Sequence, residues 1–314
     1  MERWAFKLAR GRNVGFALFL FVYNKNLPMK NIEPYKNRVI KVLGLRKRCK
    51  ISIKQCGGFS KNVYKIKFLN KAKKLSVAIK KLSLDDLFFY KNILEKYKLN
   101  AFKLSGSYKE KDDVWIISEW VDSKKIDETK IYKMMVAWLI KKDKIFTKNH
   151  KLVKNTFNRG DKWWGMISKN KHSKILPPKM YNKILSLNKN WHEINLVLKT
   201  SPQTICHNDF EPKNTLVSKN DKFYVFDWSK PSIGSLFIDL ARLVNTAPLS
   251  LKENIINGYR KNFNTDNFDF LLETARKRDY LSVFAALCNH INNGYKNEVS
   301  MKKFIKYANI ISCY

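Results

Sequence analysis

The chain has 314 residues, of which 45% are hydrophobic and 13% aromatic, so it can bury the core of one large or two medium domains, and global disorder is excluded. Lys and Arg number 62 against 26 Asp and Glu, and the formal net charge of +36 suggests a polyanionic neighbour such as nucleic acid, anionic lipid or a phosphorylated glycan. A second explanation is a bias toward Lys, Asn and Ile that comes from AT-rich coding.

The cysteines argue against both a disulfide framework and a zinc site. There are five of them, an odd number, and no two form a C-x-x-C pair. The five histidines are scattered along the chain and form no metal-binding pattern. This cysteine usage indicates a reducing compartment.

Residues 1–44 are predicted to form an extension that precedes the folded body. Within it, the apolar run at residues 14–23 follows several basic residues. The run is shorter than the roughly 20 residues that a membrane-spanning helix needs. No small-x-small cleavage site follows, which argues against a signal peptide. Two interpretations remain, a buried strand or helix and an anchor on an anionic membrane surface.

Residues 45–120 are predicted to form a small β-rich lobe. "KISIKQC" and "VYKIKFL" alternate apolar and polar residues around the turn "GGFSKN", and "KLSVAIKK" forms a third strand. "SLDDLFFYKNILEKYKL" has helical spacing with Ser83 as the N-cap, and "AFKLSGSYK" and "DVWIISEWV" form two more strands. The lobe is therefore predicted as an antiparallel sheet with one helix.

Residues 121–314 are predicted to form a larger, mainly helical lobe. "DETKIYKMMVAWLIKKDK" is amphipathic, and "MYNKILSLNKNWHEINLVLK" is predicted to be helical. "TLVSKNDKFYVFDW" reads as a hairpin of two short strands. Further helices are predicted at "DLARLVN" and over residues 251–263, 266–293 and 298–312. The predicted fold class is α+β with two lobes.

The order of these elements carries a family resemblance. "HNDFEPKN" has the pattern H-x-D-x-x-x-x-N, and a hairpin and "FDW" follow it. Over roughly residues 50–300 the chain resembles the protein-kinase-like superfamily, and most of all its aminoglycoside phosphotransferase and choline kinase group. Asn208 stands where protein kinases have Arg, Trp228 replaces their Phe-Gly, and no A-P-E segment follows. These departures favour a small-molecule kinase over a protein Ser/Thr kinase.

The resemblance implies a catalytic base and two metal ligands. Phosphoryl transfer requires positioning and charge neutralisation more than covalent chemistry. By resemblance Asp209 is the catalytic base, and Asn214 and Asp227 hold Mg²⁺, with the hairpin returning Asp227 beside Asn214. His207 and Asp239 are implied to be structural, orienting and bracing the catalytic loop.

Other matching positions imply a nucleotide site. Lys80 in "VAIKK" resembles the strand lysine that contacts the α and β phosphates, and strand alternation points Lys81 away from the cleft. The resemblance also implies an acidic partner for Lys80 on the following helix. The matching position is Asp86, and Glu95 on the same helix is the alternative. The remaining implied contacts are made by backbone groups, at the phosphates by Gly57, Gly58 and Ser60 and at the adenine by Glu119 and Val121.

The acceptor is the least determined part of the prediction. Since Trp faces stack on sugars or methylammonium groups, the candidate acceptor contacts are Asp161, Trp163, Trp164, Glu211 and Trp228. The net charge of +36 argues against a polycationic acceptor and favours a neutral or anionic small molecule, sugar or glycan. Nucleic acid is disfavoured as a partner.

The sequence therefore predicts an ATP- and Mg²⁺-dependent phosphotransferase with a hydroxyl acceptor, and it does not separate ATP from GTP. The expected location is the cytoplasm, at the inner face of the membrane if the extension is an anchor. The alternative from another class is a pseudokinase or polyanion-binding module without turnover.

Overall fold

The computed structural model describes residues 33–45, 50–56, 63–70, 73–82, 84–99, 102–110, 113–149, 167, 175–228, 231–294 and 298–314. Several predicted features lie outside these described residues, namely the apolar run at 14–23, Ser83, Gly57, Gly58, Ser60, Asp161, Trp163 and Trp164.

The first part of the chain folds as a five-stranded antiparallel sheet. Its spatial order is β1-β2-β3-β5-β4. The strands are β1 Lys50–Cys56, β2 Val63–Asn70, β3 Lys73–Leu82, β4 Leu104–Glu110 and β5 Asp113–Glu119. All five strands were predicted, and β1 and β2 show the alternation of apolar and polar residues that is typical of a half-buried strand.

Helix α1, Glu33–Val42, covers one face of this sheet. Val39 and Ile40 on α1 are buried in one cluster with Ile66, Ile79 and other strand residues. At Gly106 a Cβ atom would collide with Cγ1 of Val42, so glycine permits the close approach of α1 to β4. The sequence did not predict this helix. Because side chains alternate along β3, Lys80 lies on the opposite face of the sheet from Ile79.

The helix predicted after β3 is present, and it consists of two consecutive segments of different helix type. It begins as the α-helix α2, Leu84–Phe89, and widens into a π-helical segment, Tyr90–Glu95. Tyr90, Ile93 and Leu94 are buried against the core. π-Helical turns are rare and often occur at functional sites.

The second part of the chain is mainly helical. Its helices are α3 Glu128–Asn149, α4 Pro178–Lys189, α5 Trp191–Lys199, α6 Phe237–Thr246, α7 Leu249–Arg260, α8 Phe268–Asn292 and α9 Glu298–Ser312. The segment predicted to be helical before residue 200 forms two helices. Asn190, with φ −80° and ψ 6°, leaves the helical region, so α4 ends and α5 begins there. In the part of the chain that the structure describes, no helix has the length and apolar character needed to cross a membrane.

Two short two-stranded antiparallel sheets frame the segment that carries the predicted catalytic residues. Strand β6, Gln203–Cys206, pairs with β9, Ser232–Ser235, and β7, Thr215–Val217, pairs with β8, Phe223–Val225. Residues 207–214 connect β6 to β7. Helix α6 follows β9 and is buried over most of its length.

The linker between the sheet and α3 is fixed to the β7–β8 hairpin. Ser123 forms an isolated bridge with Ser218, and the Lys124 N–H donates to the Val217 carbonyl at 2.9 Å. This attachment ties the linker that leaves the sheet to the hairpin that follows residues 207–214.

Candidate active site

Asp209 and Asn214 are in direct contact on the loop between β6 and β7. Nδ2 of Asn214 donates to the Asp209 carbonyl at 2.7 Å and to Asp209 Oδ2 at 2.9 Å. A short 3₁₀ turn, Pro212–Asn214, brings the chain back so that the two side chains meet. Two residues that are five positions apart in the sequence therefore form one hydrogen-bonded pair.

Two cations also hold the Asp209 carboxylate. Arg242 Nη2 donates to Oδ1 at 2.7 Å, and Lys213 Nζ lies 3.1 Å from Oδ2. Burial opposes ionisation of Asp209. Arg242, Lys213 and the hydrogen bond from Asn214 outweigh that effect and hold the pKa of Asp209 well below its ordinary value. Asp209 is thus charged throughout the neutral range.

Arg242 is a site residue that sequence reasoning missed. It is buried on α6, and besides Asp209 it contacts Glu211 Oε1 at 3.1 Å and Asp279 Oδ1 at 3.6 Å. One guanidinium thus joins two carboxylates of the loop 207–214 to one on α8. The available signal was its position three residues after Asp239, since residues three apart lie on one helix face.

Lys80 and Asp227 form an ion pair that joins the sheet to the helical part. Lys80 Nζ donates to Asp227 Oδ1 at 2.7 Å. Asp227 follows β8 and has φ of +64°, an uncommon left-handed conformation for a residue other than glycine. The ion pair spans the cleft between the sheet and the loop that carries Asp209.

His207 and Asp239 form the base of the loop. The backbone N–H groups of His207 and Asn208 donate to Asp239 at 2.8 and 2.9 Å. His207 Nε2 lies 2.9 Å from the Phe226 carbonyl, and Nδ1 accepts from the Asp209 N–H at 3.3 Å. Burial lowers the pKa of His207, so the ring is neutral with its proton on Nε2.

A buried lysine that the sequence did not single out supports Asp239. Lys142 on α3 donates to Asp239 Oδ2 and to the Ile205 carbonyl, both at 2.7 Å, and lies 3.1 Å from Asp143 Oδ1. Lys142, Asp143 and Asp239 have no solvent exposure. Burial raises the pKa of Asp239, but Lys142 and the His207 N–H outweigh it and keep the pKa below its ordinary value.

The remaining nucleotide-site candidates are only partly placed. Position 86 lies in α2, but its side chain is not among those that the structure describes. Glu95 is exposed and borders a cavity with Lys98 and Lys222. Glu119 ends β5 and exchanges backbone and side-chain hydrogen bonds with Lys103 at 3.0 and 3.1 Å. Val121 is half-buried in the linker.

The described acceptor candidates divide into one at the site and one in the core. Glu211 contacts Arg242 beside Asp209 and also pairs with Lys213. Trp228 is 1% exposed, and its ring centroid lies 4.6 Å from that of His207 and 5.1 Å from that of Phe89. The prediction of an acceptor contact at Trp228 is therefore corrected, because its indole packs in the core.

Comparison with known proteins bears on the fold. A model of the phosphotransferase enzyme family matches residues 174–271, which include the loop with Asp209. Choline kinase from Streptococcus pneumoniae is similar in structure, with a TM-score of 0.62, 15% identity and coverage of 90% of this chain and 99% of its own. The chain has a protein-kinase-like fold. The resemblance stated from the sequence, to the aminoglycoside phosphotransferase and choline kinase group, is confirmed.

Two further solved structures are similar to this chain over most of its length. Plasmodium vivax ethanolamine kinase has a TM-score of 0.63 at 13% identity and covers 94% of this chain and 92% of its own. A spectinomycin phosphotransferase has a TM-score of 0.59 at 14% identity and covers 88% and 97%. A comparison with curated protein sequences finds no match.

Proposed function

We propose that this protein is a phosphotransferase that moves the γ-phosphate of ATP to a hydroxyl of a small molecule, in a class that includes sugars and glycans. The observation that carries the proposal is the convergence of the Asp209–Asn214 pair with the Lys80–Asp227 ion pair at one cleft. Nucleotide binding in similar folds supports it. The streptococcal choline kinase was crystallised with AMP, and the spectinomycin phosphotransferase with ADP and spectinomycin.

The chemistry of the oxygen donors fits a small divalent cation. Asn214 uses Nδ2 toward Asp209, which leaves its Oδ1 as the atom that can take a cation. Asp227 has a carboxylate that is 43% exposed at the cleft. Mg²⁺ suits one or two protein oxygens because it retains water and phosphate ligands. When bound, Mg²⁺ would neutralise phosphate charge, and Asn214 and Asp227 would hold it.

Lys80 has two roles in this proposal. In the described contacts it neutralises Asp227 across the cleft. Its ammonium is a point charge on a flexible stem and can turn from the carboxylate toward a phosphate. Lys80 would then bind the nucleotide phosphates and leave Asp227 for the cation.

Asp209 would orient the acceptor hydroxyl and accept its proton late in the transfer. Its low pKa makes it a weak base, and Arg242 and Asn214 occupy one position on each carboxylate oxygen. Lys213 also contacts Oδ2, so Oδ1 is the oxygen with a second lone pair for the hydroxyl. A loose phosphoryl-transfer transition state demands little proton removal, so orientation is the larger contribution.

The acceptor would meet a small local negative charge rather than the large positive charge of the whole chain. Around Asp209 the carboxylates of Glu211 and Asp279 face the cations of Arg242 and Lys213, which leaves one net negative charge. This balance supports a small alcohol that is neutral or carries a single charge. Choline kinase, ethanolamine kinase and spectinomycin phosphotransferase are named for small molecules.

The test is to incubate the protein with γ-labelled ATP and Mg²⁺ together with separate metabolite, glycolipid and protein fractions. We expect label in a small-molecule or glycolipid fraction. Asp209→Ala should reduce turnover by roughly 10²–10⁴ if Asp209 is the base. The matched control is Asp266→Ala, which removes an exposed carboxylate far along the chain and should leave turnover unchanged.

Three outcomes would overturn the proposal or part of it. Label on Ser or Thr of the protein fraction would indicate a protein kinase. Mg²⁺-dependent ATP binding without label in any fraction would indicate the binding module. Near-normal turnover in Asp209→Ala would remove its assigned role.

A further inference from the structure

A cavity of about 370 Å³ lies where the five-stranded sheet meets the β7–β8 hairpin, and its lining does not include Asp209. It is bordered by the π-helical segment, the start of β4 and the residue that leads into β8, and it opens to solvent. Its apolar walls are formed by Tyr90, Leu94, Phe102 and Leu104. The volume is within the range of small-molecule binding sites.

The rim of the cavity is strongly cationic. Lys98, Lys103 and Lys222 border it, and Glu95 provides the single carboxylate. All four are exposed residues. Apolar walls under a rim with two net positive charges complement a ligand that has an apolar body and an anionic group.

Lys98 occupies a position where the backbone favours glycine. Its φ is +49°, its N–H donates to the Glu95 carbonyl at 3.2 Å, and the next N–H, of Leu99, donates to the Leu94 carbonyl at 3.1 Å. These two bonds form a Schellman motif, in which the left-handed residue is usually Gly. A lysine at a strained position on a cavity rim indicates a role for its ammonium group.

The cavity walls are connected to the nucleotide and catalytic residues. Lys103 exchanges two hydrogen bonds with Glu119, the last residue of β5, where the linker begins. Phe102 stacks on Tyr224 and Phe226 with centroid distances of 5.4 and 5.9 Å, and Phe226 immediately precedes Asp227. A ligand that moved Phe102 or Lys103 would therefore act on the position of Asp227 and on the linker.

We propose that this cavity is an effector site for a small amphipathic organic anion, whose apolar body enters between Tyr90 and Phe102 and whose carboxylate, sulfate or phosphate contacts Lys98 and Lys222. Its effect on nucleotide affinity rests on the proposed function, whereas binding of the anion does not. By linkage, an anion that changes nucleotide affinity is itself bound with an affinity that nucleotide changes by the same factor.

Anilinonaphthalene sulfonate, an aromatic anion whose fluorescence rises on binding, is the probe for the first test. We expect saturable binding to the full chain, weakened on the order of tenfold by Lys98→Glu with Lys222→Glu, because attraction becomes repulsion. The control is Lys183→Glu with Lys189→Glu, the same charge change at exposed positions on α4. Equal affinity in the two double variants would overturn the proposal.

Lys98→Gly separates a binding role from a structural one. Glycine relieves the left-handed strain, so the unfolding midpoint should stay constant or rise while probe affinity falls. A lower midpoint with unchanged probe affinity would assign Lys98 to structure alone and overturn the site.

The second test measures ATP affinity with and without saturating probe. A several-fold change in the wild type that disappears in the Lys98→Glu, Lys222→Glu variant is expected. Unchanged ATP affinity would overturn the effector role, and absence of ATP binding with intact probe binding would overturn the proposed function instead.

Discussion

Arg242 donates a 2.7 Å hydrogen bond from Nη2 to Oδ1 of Asp209, and the same guanidinium reaches Glu211 and Asp279. Asn214 holds the other carboxylate oxygen at 2.9 Å. The orientation of Asp209 is thus fixed before any acceptor enters. Preorganised geometry of this kind lowers the entropic cost of reaching the transition state.

Arg242→Gln should shift the acidic limb of the kcat/KM profile to higher pH. Arg242 is the strongest of the groups that lower the pKa of Asp209, and burial raises that pKa once the guanidinium is gone. Activity that needs ionised Asp209 then fails at a higher pH than in the wild type. The measurement is kcat/KM across the acidic range.

The control for this prediction is Arg276→Gln, whose guanidinium pairs with Glu273 on α8 at 2.8 Å. That variant should keep the wild-type limb. If the acidic limb of the kcat/KM profile is unchanged in Arg242→Gln, Asp209 does not set the acidic dependence of activity.

Lys142→Met should destabilise the fold by about 3–5 kcal/mol, because it leaves two buried carboxylates without their cation. Asp239 and Asp143 lie 2.7 and 3.1 Å from Lys142 Nζ and are fully buried. The measurement is the free energy of unfolding from urea titration at neutral pH. Lys302→Met, which removes an exposed ion pair with Glu298, should leave the unfolding midpoint unchanged. Similar midpoints in the two variants would contradict the bracing role of Lys142.

Lys80→Met should weaken nucleotide binding roughly 10- to 100-fold, the value of a lost hydrogen bond to a charged group. Lys80 is 2.7 Å from Asp227 on the cleft face of β3. Lys81→Met is the matched control, since alternation places its side chain on the α1 face. Calorimetric titration with ATP and Mg²⁺ measures both. Equal losses in the two variants would show that β3 integrity, rather than the Lys80 ammonium, determines affinity.

Local patterns predicted the sheet, and the family resemblance supplied the candidate site residues. The alternation in "SVAIKK" places Lys80 on the face opposite Ile79, and a short spacing brings Asn214 to Asp209, so both follow from neighbouring residues. To bring Asp227 back toward Asn214, the prediction needed one further element, the β7–β8 hairpin. Each of these features depends on one strand, one loop or one hairpin, a range over which sequence patterns are informative.

Features that depend on distant partners were not predictable in this way. Lys142 and Asp239 are 97 residues apart, and nothing in the amphipathic pattern of α3 marks a lysine that will be buried. Arg242 meets Asp209 and Asp279 only after α6 and α8 pack together. Trp228 was assigned to the acceptor because aromatic chemistry is ambiguous between stacking on a ligand and packing in a core. Burial alone distinguishes the two.

Asn208 offers a test of loop conformation that is separate from charge. Its φ is +62°, its N–H donates to Asp239 at 2.9 Å, and its Nδ2 donates to Ser232 Oγ at 2.9 Å. Asn and Gly adopt the left-handed region readily, while a β-branched residue there costs about 1–2 kcal/mol. Asn208→Val should therefore lower turnover far more than Asn208→Gly, because only valine forces the backbone away from Asp239.

The measurement is kcat for both Asn208 variants at saturating ATP, together with the unfolding midpoint of each. Both variants lose the Ser232 hydrogen bond, so the difference between them isolates backbone conformation. Equal losses of kcat would show that the bond to Ser232 positions Asp209. A loss confined to Asn208→Val would show that the left-handed turn at Asn208, held by Asp239, positions it.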